Sequence, residues 1–91
     1  MAIVRLPAVV THADARECRD RLVQSLAATQ DRVVLLDVSG LERFDSSALA
    51  VIVACRREAL ALGRSLQVQG LSERLSELAS LYGVLQWLQQ T

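Results

Sequence analysis

An α/β fold, with a small mixed or parallel sheet packed against about three helices, follows from three features of the 91-residue sequence. Segments of strand character alternate with segments of helical periodicity, an order that lays helices on a mixed or parallel sheet. One run, VVLLDV at residues 33 to 38, is nearly continuously apolar, as a parallel strand covered on both faces requires. The apolar residues are mostly Leu, Val, Ile and Ala, and only Phe44, Tyr82 and Trp87 are aromatic. A chain this short forms one domain over residues 1–91, with one core burying roughly 60–65% of the surface its unfolded form would expose.

Residues 2–6, AIVRL, alternate and carry β-branched Ile3 and Val4, so they read as a short edge strand closed by Pro7. Thr11, with Asp14 three positions on, is placed to cap a helix. In that helix Ala15, Cys18, Leu22, Val23 and Leu26 share one face, and Arg16, Glu17, Arg19, Asp20 and Gln24 take the other. After the polar break at 29–32 comes the central strand. Asp37 inside it needs a hydrogen-bond partner, and the start of the next helix at 45–47 is the expected neighbour. Ser39 and Gly40 open a loop that ends at Asp45.

The helix from residue 46 to 62 follows a turn with three successive capping residues, Asp45, Ser46 and Ser47. One oxygen suffices for a cap, so two hydroxyls beside a carboxylate also suit a phosphorylation site or a docking surface. At about 100° per residue, Leu49, Ile52, Val53, Cys55, Ala59, Leu60 and Leu62 gather in the sector expected to face the core. The opposite sector holds Ser46, Ser47, Ala50, Ala54, Arg57, Glu58 and Ala61, a shallow face that another helix or loop can approach closely. Arg56 falls in the apolar sector, and its guanidinium is expected to reach water along the core edge. Gly63 is placed to end this helix. SLQVQ at 65–69 alternates as a half-buried strand, and Gly70 turns the chain. Ser72 caps a third helix with Leu75, Leu78, Ala79 and Tyr82 on one face, Gly83 ends it, and VLQWL closes the chain as a strand or a helical turn.

Composition excludes several functions. Ten Arg balance ten Asp plus Glu with no Lys, so no net field draws nucleic acid or anionic lipid, and three aromatics make no stacking platform for single strands. The longest apolar run, Ala48 to Cys55, is eight residues, too short to insert across a bilayer. The N-terminus lacks a basic segment followed by a long apolar one, so a cytosolic protein is expected. Cys18 and Cys55 read as small buried hydrophobes, and no metal-ligand spacing is present. His12 is the only histidine. No G-x-S-x-G, G-x-x-x-x-G-K-[ST] or G-x-G-x-x-G occurs, so no catalytic residues, metal or cofactor are expected.

The stretch VVLLDVSGLERFDSSALAVIVACRREALALG followed by SLQVQGLSERLSELASLYGV resembles a STAS domain, the fold of bacterial anti-sigma factor antagonists and of sulfate-transporter tails, over about residues 20 to 88. The D-S-S turn, the ALALG helix ending and the LYGV close carry the likeness; the D-S-S-A-L-A version is most similar to the STAS subunit of the Mla phospholipid-transport ABC system. The resemblance implies a non-catalytic cytoplasmic subunit, held at the inner face of the inner membrane by the ABC ATPase it binds. The contact surface is then Asp45, Ser46, Ser47, Ala50, Ala54 and Arg57, with Ser46 at the position whose hydroxyl matters for docking. The antagonist alternative makes Ser47 the phosphorylated serine, although antagonists usually have glycine where this chain has Ala48. STAS domains commonly place two strands before the first helix. One is expected here, a shortened N-terminal strand region whose exposed edge leaves a homodimer open.

Overall fold

A computed structural model of the chain describes residues 1–89. Five strands and four helices follow in the order β1 (Ala2–Arg5), β2 (Val9–Val10), α1 (Ala15–Ala28), β3 (Val33–Asp37), β4 (Arg43–Phe44), α2 (Ser46–Ala61), β5 (Ser65–Gln69), α3 (Glu73–Leu81) and α4 (Leu85–Gln89). All pairing is parallel: β1, β3 and β5 form one sheet with β3 in the centre, and β2 pairs with β4 in a second, smaller one.

The region before α1 therefore holds two strands, not one. β2 is only two residues long, too short to show a period, and its pairing is fixed by tertiary contacts: Ala8 O accepts from Glu42 N and Arg43 N at 2.8 and 2.9 Å. Its partner β4 lies inside the segment expected to be a loop. Most of VLQWL lies in a helix, α4, so the described residues hold four helices.

The central strand is covered on one face, not two. Burial alternates along it, with Val34 and Leu36 buried and Val33, Leu35 and Asp37 half-buried. The register row of Val4, Leu36 and Val68 faces the helices, while the row of Ile3, Leu35 and Gln67 lies on the opposite face, where Ile3 is exposed. The helices form a single layer, with α2 and α4 on β5 and α1 against α2. The core they enclose is entirely Leu, Val, Ile, Ala and Cys. Cys18 and Cys55 belong to it, and burial pushes the Cys55 thiol up to about 12 and raises that of Cys18, so both behave as apolar groups.

Two local expectations change. Thr11 does not cap α1: the N-cap is Asp14, whose carboxylate instead accepts from Thr11 N and Oγ1 at 3.3 and 2.8 Å, so the pair rigidifies the entry turn from outside the helix. Asp37 finds its partner in the next loop, not at the α2 start. Its Oδ1 accepts from Ser39 Oγ at 2.6 Å and Ser39 N at 3.0 Å, with Arg5 Nε 3.6 Å from the other oxygen; these bonds lower its pKa below the usual aspartate value.

Candidate functional site

The feature that presents the candidate functional groups is α2 with the turn that starts it. Asp45 is the N-cap, in extended backbone conformation, and its Oδ1 accepts from Ser47 N at 2.8 Å. Its Oδ2 accepts from His12 N, 3.0 Å away, in the segment between β2 and α1. One carboxylate thus satisfies a free helix donor and ties two segments together. These hydrogen bonds, Ser47 N–H first and His12 N–H second, hold the Asp45 pKa below its ordinary value. Such a group stabilises the fold above the unfolded pKa of about 3.9, and loses that effect as the pH falls through its lower folded value. Asp45→Ala is accordingly expected to lower the Tm at neutral pH, with a deficit that shrinks when melting is repeated below pH 4.

The face α2 turns to the core differs from the sector expected. Ala48, Leu49, Val51, Ile52, Cys55 and Ala59 are buried, whereas Leu60 is 60% and Leu62 39% exposed and Val53 is half-buried. The buried face thus extends to Ala48 and Val51, and α1 packs against this helix. Arg56 is half-buried at the core edge, where Nη1 donates to Trp87 O at 2.8 Å in an exposed bond and the guanidinium carbon lies 6.0 Å from the Trp87 ring centroid, joining α2 to α4.

The outward stripe carries Ser46, Ala50, Ala54 and Arg57, and these four line one groove of about 370 Å³ whose far wall is Tyr82 and Val84. Ser46 also borders a second concavity, of about 530 Å³, with Asp45, Arg74, Leu81 and Tyr82, so it stands where the two meet. Ser47 lies off both. It is half-buried, and its backbone N–H donates to the Asp45 carboxylate. The structure therefore brings Ser46, Ala50, Ala54 and Arg57 together, puts Asp45 beside them, and sets Ser47 apart.

Tyr82, Val84 and Leu81 were not legible as part of this surface. The spacing put Tyr82 on the core face of α3, but that helix ends at Leu81 and Tyr82 is its C-cap, 56% exposed. Gly83 follows at φ 73°, a left-handed residue that glycine adopts without strain, and Val84 N donates to Ala79 O at 2.9 Å in a Schellman closure. The Tyr-Gly pair was the available signal, since a residue just before a C′ glycine has already left the helical phase. Arg74, whose guanidinium lies 5.2 Å from the centroid of the Phe44 ring, was missed as well, because only tertiary packing places it there.

Among the described residues no group of three or more His, Cys, Asp or Glu could hold a metal ion, and no helix is long and apolar enough to cross a membrane. The helical layer over a parallel sheet is a fold shared with several solved structures. The unphosphorylated form of the anti-sigma factor antagonist SpoIIAA superposes with a TM-score of 0.73 at 17% identity, over 98% of this chain and 78% of that one. The phosphorylated form of SpoIIAA, a Bacillus cell fate determinant, gives 0.66 at 17% identity over 98% and 81%. A sulfate transporter family protein from Wolinella succinogenes gives 0.73 at 19% identity over 96% and 70%. The family model described as Mlab, STAS domain matches residues 2–90, and the chain belongs to that family. No curated protein sequence matches it.

Proposed function

We propose that this chain is a non-catalytic accessory subunit that docks through α2 on the ATPase of a Mla-type ABC phospholipid transporter. In that role it stabilises the ATPase at the cytoplasmic face of the inner membrane and serves the maintenance of outer-membrane lipid asymmetry. The observation that carries the reading is the position of Ser46, exposed at the junction of two concavities on a helix face that continues with Ala50, Ala54 and Arg57. Membership of the Mlab-type STAS family supports it, as does the general role of STAS domains as interaction and regulatory modules. Purified with a Mla-type ATPase subunit from the same cell, the chain is expected to co-elute, and Ser46→Arg to weaken binding by about a hundredfold while leaving the Tm unchanged. Failure of the unaltered chain to co-elute would sink the reading.

The likeness to SpoIIAA, solved in unphosphorylated and phosphorylated forms, favours a second reading as an anti-sigma factor antagonist switched at Ser47. A phosphate there would add about −1.5 to −2 charge beside Asp45. Against it stands the half-buried position of Ser47, whose backbone N–H already holds that carboxylate. Incubation with an anti-sigma serine kinase and ATP decides between them: an unchanged intact mass removes the switch.

A further inference from the structure

We propose that Arg32 and Arg64, brought side by side at the N-terminal end of the sheet, hold the phosphate group of a phosphate monoester in the concavity they share with Arg56 and Ser65. This site lies toward the far end of α2 from Ser46, about 20 Å along the helix at about 1.5 Å per residue, and goes beyond the docking function proposed above.

The sheet sets this juxtaposition. β3 and β5 pair in parallel with Val33 opposite Ser65, and Ser65 N donates to Arg32 O at 2.8 Å. Arg32 and Arg64, one place earlier, therefore enter as neighbours on strands about 4.8 Å apart. By alternation their side chains share the helix side of the sheet with buried Val34 and Leu66, and both line a concavity of about 460 Å³ with Arg56 and Leu60 of α2. Like charges opposite one another on a sheet face are destabilising. Elsewhere arginines share a concavity with carboxylates: Arg16 and Arg21 with Glu17 and Asp20, Arg74 with Asp45 and Glu77. No carboxylate of a described residue lines this one, and Asp31, next to Arg32 in sequence, pairs instead with the N-terminal amine at 3.3 Å. The balance of ten Arg against ten Asp plus Glu holds for the whole chain and not at this spot.

Helix capping accounts for one arginine of the pair and not the other. Arg64 is half-buried, and past the end of α1 its Nε donates to Asp31 O at 3.2 Å and its Nη2 to Thr29 O. These neutral acceptors fix the guanidinium, leave its charge uncancelled and take only part of its five N–H donors. Arg32 is exposed, and its side chain bonds no described residue. The C-terminal ends of α1 and α2 each bring about −0.5 of a charge, together less than the two guanidinium charges. The concavity is thus positive, and Ser65 adds a hydroxyl to its wall. A phosphate monoester answers it better than a carboxylate, because about −1.5 to −2 of charge and three peripheral oxygens serve two planar guanidiniums at once. Leu60, 60% exposed in the same wall, offers an apolar surface to whatever the ester carries.

The test is titration of the full chain with glycerol 3-phosphate, against sodium chloride at equal ionic strength, followed by the NMR signals of the arginine Nε–H groups. Saturable shifts are expected at Arg32 and Arg64, with an affinity about tenfold lower in Arg32→Gln, as loss of one charge-assisted hydrogen bond gives. Arg16→Gln, at an exposed position of α1, is expected to leave the affinity unaltered, and an otherwise unchanged spectrum checks that each variant folds. Sedimentation with phosphatidylcholine vesicles containing phosphatidic acid then separates the sources of the phosphate. Co-sedimentation that Arg32→Gln removes assigns it to a lipid headgroup, and absence of co-sedimentation assigns it to a soluble ester. No saturable shift, or equal affinities in the unaltered chain and Arg32→Gln, overturns the inference. Tighter binding of hexaglutamate than of glycerol 3-phosphate overturns it too, and makes the surface one for an acidic protein segment. Docking at Ser46 stands or falls separately, on the co-elution experiment.

Discussion

Ile52→Ala is expected to cost about 2–5 kcal/mol of stability, read from urea unfolding with an unchanged slope. Ile52 is fully buried in the middle of α2, in one cluster with Val34 and Leu36 of the central strand and Leu26 of α1. The helix layer and the sheet meet at this position, so a truncated side chain leaves a cavity that a rigid two-layer core closes only in part. Domains of this kind have about 5–15 kcal/mol in total, and each kcal/mol lowers Tm by about 4–8 °C at this size, so the variant should melt at least 8 °C lower. Leu60→Ala on the same helix is the contrast. With 60% of Leu60 exposed, that change should stay within about 0.5 kcal/mol. Equal losses at the two positions would mean that α2 is rotated from the orientation described.

That contrast also marks where the sequence was legible. A helical wheel placed Ile52 and Leu60 in one sector, because a wheel knows only the helix. Which part of a broadly apolar helix is buried depends on what packs beside it, and here α1 packs against α2 and Ala48 and Val51 are buried. Where polarity alternated cleanly, the reading was sound: Cys18, Leu22 and Leu26 of α1 are buried, and Leu66 of β5 is too. Where elements are held by tertiary pairing alone, as with two-residue β2 and β4, no local period existed to be read. The uncovered sheet face belongs with these cases. An apolar run such as VVLLDV states that a strand is central, but the number of helices available decides whether its second face is covered.

At the site, the cap was legible and the groove was not. Asp45 announces itself by residue type and by the apolar run that follows, and Ser46, Ala50, Ala54 and Arg57 fall on one face by spacing alone. The wall opposite them comes from residues some thirty positions away, brought in by the ending of α3 and the turn into α4. The difference between Ser46 and Ser47 is likewise tertiary. Adjacent on the chain, they diverge by about 100° around the helix, which leaves one at the groove and the other against the cap carboxylate.

Gly70→Ala is expected to destabilise by about 3 kcal/mol, the sum of a left-handed backbone penalty of about 1–2 kcal/mol and a steric one of similar size. Gly70 has φ 85°, and a Cβ there would lie 2.6 Å from Ser39 Cβ, 2.9 Å from Ser39 N and 3.0 Å from Ser39 Cα. The obstacle cannot swing aside. Ser39 donates N–H and Oγ to Asp37 Oδ1, and Val38 N donates to Gln69 O at 2.9 Å, so both loops are anchored where they touch. Gly83→Ala separates the two costs, because its φ of 73° is similar and nothing lies within 4 Å of an added Cβ, leaving about 1 kcal/mol for the backbone term. The effect should extend past stability. Ser39 begins the segment that passes through β4 to Asp45, so displacing it moves the cap and the start of α2. At a temperature where the variant remains folded, hydrogen exchange at Ser47 N–H should be faster in Gly70→Ala than in Gly83→Ala. Equal stability losses and equal exchange would show that the contact between the two loops is incidental to how α2 is held.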